Sequence, residues 1–102
     1  DRLEAKLLGL PRDRPLFLTE FMARKAGSTF QSTLPIAKRE KIAAYGWGLV
    51  NGRSQTVYPW DSWAEPYLDG PPDPWFHDVF HADGKPYRED EVAFIRAVTA
   101  QG

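Results

Sequence analysis

Two short stretches carry side chains whose type and spacing could do chemistry. In "PLFLTEFMAR" a carboxylate, Glu20, follows the apolar run Pro15–Leu18 and Thr19, and precedes Phe21 and Met22. A carboxylate can act as nucleophile, acid or base when a second group is placed against it. From position alone Glu20 reads more readily as a solvated acid ending a strand. In "HDVFH" the residues His77, Asp78 and His81 stand close together, and two histidines at i and i+4 match metal-ligand spacing on a helix. Pro74 and Gly84 bound that stretch and no third ligand stands beside it, so no metal is expected there. Asp61, Glu65, Asp69 and Asp73 read as solvated loop acids. The segment "GWGLVNG" lacks the spacing of a phosphate-binding loop, and no serine sits in a nucleophile elbow.

The aromatic residues are the other group that could meet a ligand. Four Trp, four Tyr and six Phe make 14% of the chain, and Trp60, Trp63 and Trp75 fall in a segment rich in Pro and Gly. Core aromatics normally lie on periodic segments, so tryptophans in a loop more often face something. Gly46 and Gly48 flank Trp47, which suggests a close backbone approach there.

The elements that must hold these residues follow from periodicity. Leu3, Leu7 and Leu8, with Ala5 and Leu10 beside them, predict a helix that Pro11 stops. The continuous run "LFLT" predicts a strand buried on both faces. Phe30, Leu34 and Ala37, with Ile36 beside them, define a helix face. Ser28, Thr29 or Thr33 could cap it, and Pro35 fits best in the first turn with Thr33 as cap. "KIAAYGWGLV" predicts a second buried strand. From Asn51 to about Lys85 the chain reads mostly as loop, and a loop of that length in a compact domain is usually functional. "REDEVAFIRAVT" predicts a last amphipathic helix, with acids in its first turn and Val92, Ile95 and Val98 on one face. Two buried strands joined by a helix form a βαβ unit in a parallel sheet. Two such strands cannot cover both faces of a sheet, so the fold class is α/β and the chain reads as the end of a larger protein.

Composition sets outer bounds. The chain has 102 residues, which suits one small domain or a piece of a larger one. At 42% apolar residues it is globular, and a net charge of -1 does not point to nucleic acid or an anionic membrane. No apolar run approaches the roughly 20 residues of a membrane span. There is no cysteine, hence no disulfide framework, and the compartment stays open. The first residue is Asp1 and the only methionine is Met22, so a processed or cut N-terminus is expected.

The segments "PLFLTEFMAR", "STFQSTLPIAK", "YGWGLVNGRSQTVYPW" and "PWFHDVFHADGKPYREDEVAFIR" together resemble the C-terminal end of a clan-A glycoside hydrolase, similar to family 5 cellulase-like or 1,4-β-xylanase-like barrels. The resemblance runs from Leu3 to Thr99 and spans about the last quarter of such a (β/α)8 TIM barrel. It implies that residues 1–102 are a C-terminal fragment of a catalytic barrel, with "LFLTEF" as the seventh strand and "IAAYGWGLV" as the eighth. Active residues of such barrels sit at the C-terminal ends of strands, where Glu20 and Trp47 fall.

By this resemblance Glu20 takes the position of the nucleophile in retaining hydrolysis of a β-linked polysaccharide or oligosaccharide. Trp47 takes that of the aromatic platform under the sugar, whose apolar C–H face suits an indole. Arg24 resembles a position near the active face, where it would pair with Glu20 and keep it ionised; by itself it reads equally as a surface arginine. Gln55 and Trp60 would wall the cleft from the loop after the second strand, and Trp75 would pin that loop. The retaining mechanism needs two carboxyl groups about 5–5.5 Å apart, and the acid/base partner would end the fourth strand, outside this chain. His81 departs from the family's usual pattern. No cofactor, nucleic-acid partner or membrane is implied, and a secreted or periplasmic setting is the family's. A non-catalytic carbohydrate-binding fragment, its loop tryptophans carrying the contact, is the alternative.

Overall fold

The structure, a computed structural model of the chain, describes residues 2–100. Helix α1 (Arg2–Leu8) leads to strand β1 (Phe17–Phe21), helix α2 (Phe30–Arg39) and strand β2 (Ala43–Gly46). Two short strands, β3 (Val50–Asn51) and β4 (Phe80–His81), bracket the long loop, and helix α3 (Glu89–Ala100) ends the chain. β1 and β2 pair in parallel across α2, so the crossover that the periodicity predicts is present. β3 and β4 form a second parallel pair, which closes the loop on itself.

Helix α2 is the centre of the packing. Its buried Phe30, Ile36 and Ala37 divide between two apolar clusters. On one side Ile36 and Ala37 meet Leu7 of α1 and Ile42. On the other Phe30 meets Phe21, Met22 and Val79, with Val92, Phe94 and Ile95 of α3 packed against them. Leu18 and Ala44 join both clusters and tie the strands to the helix layer. The helix begins one turn earlier than Pro35 suggests. Thr29 is the cap: its Oγ1 accepts from the Ser32 backbone, and Ser32 returns the bond in a reciprocal capping box. Pro35 therefore lies inside the helix, at an exposed position, rather than in the first turn.

The expectation of strands buried on both faces does not hold. Leu18 and Phe21 pack on the helix side, whereas Phe17 is 61% and Tyr45 56% exposed. Helices cover one face of β1–β2 and no described residue covers the other. The radius of gyration, 15.0 Å, accordingly exceeds the ~13 Å of a compact domain of this length. The second strand is also shorter than its apolar run. It ends at Gly46, because Gly48 takes a left-handed φ of +87° and turns the chain away before Leu49.

Candidate functional site

A cavity of about 400 Å³ opens at the C-terminal ends of β1 and β2. Its walls include Glu20, Met22, Ser28, Trp47, Trp60 and His77. Its volume falls within the ~300–1,000 Å³ typical of small-molecule sites.

A break in the strand register aims Glu20. Phe17 and Leu18 pair with Ala43 and Ala44, but Phe21 pairs with Gly46, so β1 spends three residues where β2 spends two. Plain alternation from Leu18 would send Glu20 into the helix layer and Phe21 outward. The extra residue reverses this: Phe21 is buried edge-on against Phe30 at 5.4 Å, and Glu20 stays exposed on the cavity wall. Bulges commonly re-aim side chains in this way.

The next residues reverse the chain. Met22 is 1% exposed and adopts φ +87°, a left-handed conformation unusual for a long side chain. Its N–H donates to Ser28 Oγ at 3.1 Å, and an antiparallel bridge between Ala23 and Ser28 closes the turn at Gly27 (φ +83°). Trp47 is fixed from its backbone, where its N–H donates to the Phe21 carbonyl at 2.8 Å and joins the two strand ends. Of its flanking glycines, Gly48 makes the close approach. A Cβ there would stand 2.4 Å from Thr56 Oγ1, 2.8 Å from His77 Cβ and 2.9 Å from Asp78 Oδ1. A Cβ at Gly46 would meet only ordinary contacts with the Phe30 and Phe21 rings.

Trp60 comes from the long loop and remains 65% exposed, its ring edge-on to Phe76 at 4.7 Å. It starts the 3-10 turn Trp60–Trp63, which Asp61 anchors. The Tyr67 hydroxyl donates to Asp61 Oδ1 at 2.8 Å, and Lys25 approaches Asp61 Oδ2 at 3.8 Å. The bond to Asp61, with burial adding to it, holds the Tyr67 hydroxyl above its ordinary pKa.

Arg24 does not reach this cavity. The structure corrects both earlier readings of it, as a partner of Glu20 and as a surface arginine. Its side chain and that of Glu91 are each 3% exposed and form a bidentate pair, Nε to Oε2 at 3.0 Å and Nη2 to Oε1 at 2.7 Å. Two further donors, one on Nη1 and one on Nη2, take the carbonyls of Trp75 (2.9 Å) and Asp78 (2.8 Å), and its guanidinium lies 4.8 Å from the Tyr87 ring centre. It therefore ties the loop to α3. Glu91 stands one turn before Ile95 and beside Val92, on the apolar stripe of α3, and a charge on such a stripe is the signal that it seeks a buried partner.

Gln55 also lies outside the cavity walls. It is exposed, and its Oε1 accepts from the Val57 backbone two residues on. Trp75 is buried, stacked on Tyr87 at 4.3 Å and edge-on to His81 at 4.7 Å, as a loop pin would be. Trp63 is 93% exposed and takes no part in the cavity.

"HDVFH" is not helical, so the i, i+4 spacing does not bring its histidines together. Phe80 and His81 form β4, and the three acceptors part. His77 lines the cavity, and Asp78 turns to Thr56, accepting from its N–H and its hydroxyl at 2.7 Å each. His81 lies on Trp75. Among the described residues no group of three His, Asp or Glu side chains could hold a metal. The sequence offers His77 only as half of a metal-ligand spacing, not as a cavity wall. Residues 75–79 are all buried, so no local pattern marks His77 as the one that faces the cavity.

The arrangement is thus an exposed carboxylate, two indoles and an imidazole around one hollow. Among the described residues Glu20 is its only carboxylate wall and makes no ion pair. No helix among them is long and apolar enough to cross a membrane. Compared with known protein families, curated proteins and solved structures, the chain matches none.

Proposed function

We propose that this chain is the C-terminal quarter of a (β/α)8 glycoside hydrolase and that Glu20 is the nucleophile of a retaining reaction on a β-linked saccharide. The observation that carries this reading is the convergence of Glu20, Trp47 and Trp60, drawn from forty residues of chain, on one cavity at the C-terminal ends of two parallel strands. Strand ends are where parallel α/β folds build their sites. Indole faces suit the C–H face of a pyranose, and a carboxylate on a rigid strand end can be aimed at an anomeric carbon. The bare face of β1–β2, with Phe17 and Tyr45 open to solvent, is the face that the remaining strands of such a barrel would cover.

In this mechanism Glu20 attacks the anomeric carbon while a second carboxylic acid protonates the leaving oxygen. A glycosyl ester forms on Glu20, and water, deprotonated by the second group, hydrolyses it. That second group is not among the described residues that wall the cavity. The single carboxylate favours a second reading for the isolated chain, that of a fragment which binds saccharide without cleaving it.

The deciding experiment uses the coding sequence upstream of Asp1. If it supplies six further strand–helix units, the complete protein should hydrolyse an activated aryl β-glycoside. Glu20→Gly should then lower kcat/KM about 10⁴-fold or more, with azide restoring turnover as an external nucleophile. Full activity of Glu20→Gly, or turnover by residues 1–102 alone that Glu20→Ala abolishes, would overturn the reading.

A further inference from the structure

His77 has two ring nitrogens in two different situations. Nδ1 lies 2.5 Å from the Met22 carbonyl oxygen. A carbonyl only accepts, so Nδ1 carries the proton, and in the neutral ring Nε2 is left with a lone pair. No described residue bonds Nε2. The only unpartnered side-chain N or O atom sealed from solvent among the described residues is Thr33 Oγ1, so Nε2 is open. His77 is itself 92% buried, and the cavity is the space it borders.

The ring is also held still. The His77 N–H donates to the Thr56 carbonyl at 3.1 Å, and the N–H before it, on Phe76, donates to Val57 at 2.8 Å. A Cβ at Gly48 would stand 2.8 Å from the His77 Cβ, so only glycine fits there, and the following residue, Asp78, is tied by its side chain to Thr56 and by its carbonyl to Arg24. Four hydrogen-bonded ties hold this stretch of backbone, and the Met22 contact fixes the tautomer. Such support is what a recognition group needs.

We infer that His77 is a ligand-binding residue of this cavity, locked as the Nδ1–H tautomer by Met22 so that Nε2 accepts a hydrogen bond from a ligand hydroxyl. Beside the carboxylate of Glu20 this gives the cavity a second fixed acceptor, suited to a neutral polyhydroxyl ligand rather than an anion. The inference rests on the saccharide reading above for the ligand's class, and on the Met22 contact alone for the tautomer.

The two nitrogens can be tested apart. Asparagine places its amide nitrogen near Nδ1 and can keep the Met22 bond, but it has nothing at Nε2. Glutamine reaches Nε2 with an oxygen and gives up Nδ1. The experiment records imidazole and indole ¹⁵N signals of the full 102-residue chain at pH 8, with cellotriose and xylotriose as probes. Nδ1 should read as protonated and Nε2 as unprotonated before any sugar is added. A binding sugar should shift Nε2 together with the Trp47 and Trp60 indoles. His77→Asn should keep the fold and bind about tenfold more weakly, and His77→Gln should recover part of that loss. A proton on Nε2 in the free chain overturns the inference whatever the ligand. Indole shifts without an Nε2 shift, or unchanged affinity in a folded His77→Asn, overturn it and leave the cleft reading standing. No indole shift with either sugar overturns both. If His77→Asn does not fold, the Nε2 signal of the unaltered chain decides.

Discussion

Glu20 and Arg24 stand four residues apart and are opposite in every respect but the chain they share. Glu20 is exposed, borders a cavity and has no ion-pair partner among the described residues. Arg24 is buried, and Nε, Nη1 and Nη2 all hold partners, two carboxylate oxygens and two backbone carbonyls. The left-handed turn at Met22 lies between them and sends one side chain out and the other in. A charge with a partner on every nitrogen belongs to the scaffold. A charge with none is available for work. The bulge and the turn separate these two roles within five residues.

That contrast makes sharp predictions. The largest effect should follow Arg24→Met, which strands Glu91 unpaired in the interior and should cost about 3–5 kcal/mol in chemical unfolding. The double variant Arg24→Met with Glu91→Leu should recover part of this and not all, because the Trp75 and Asp78 carbonyls stay without donors. Complete recovery would break the claim that Arg24 latches the loop as well as the helix. Next, Gly48→Ala should cost about 2–5 kcal/mol, combining a left-handed penalty with overpacking against Thr56, His77 and Asp78, whereas Gly46→Ala should cost much less; paired thermal melts check this.

At Glu20 itself the expectation for stability is nearly nothing. Glu20→Gln should leave ΔG of unfolding within about 0.5 kcal/mol. A loss as large as that of Arg24→Met would mean that Glu20 is scaffold too. The smallest effect belongs to the surface pairs. The hydrogen bond from Arg39 holds the Glu40 carboxyl below its ordinary pKa, and Arg12 adds to it. Its contribution is therefore present above the unfolded carboxylate pKa and lost as pH falls through the lower folded value. Glu40→Gln should differ slightly from the unaltered chain in melts near neutrality and not at all in strong acid, and about 1 M salt, with a Debye length near 3 Å, should shrink even that difference.

How much of this was legible in the sequence follows from the range of each interaction. The crossover β1–α2–β2 and helix α3 were legible because periodicity is local, and the apolar residues that set it lie within a dozen positions. The meeting of Glu20 with Trp47 followed from placing both at strand ends. The Arg24–Glu91 pair joins residues 67 apart, and nothing near Arg24 names its partner. The cap of α2 was ambiguous because Ser28, Thr29 and Thr33 all carry a suitable hydroxyl, and only the reciprocal bond with Ser32 selects Thr29. The double burial expected of the strands failed for another reason. A continuous apolar run reports what the strands are fit to contact, and the described residues supply contacts on one face only.

Met22 shows a limit on what any collection of variants could reveal. Its side chain is buried with Phe21, Phe30 and Val79, and its carbonyl holds His77. The first is a property of the residue type and the second is not, since all twenty amino acids carry the same carbonyl. Glycine at this position would relax a conformation that costs methionine about 1–3 kcal/mol, yet would remove buried apolar bulk. A screen for stability would therefore score position 22 by its side chain. A screen for binding would score it by the direction in which its peptide points, and the two rankings need not agree. The acceptor that orients the imidazole is written in a torsion angle rather than in a codon.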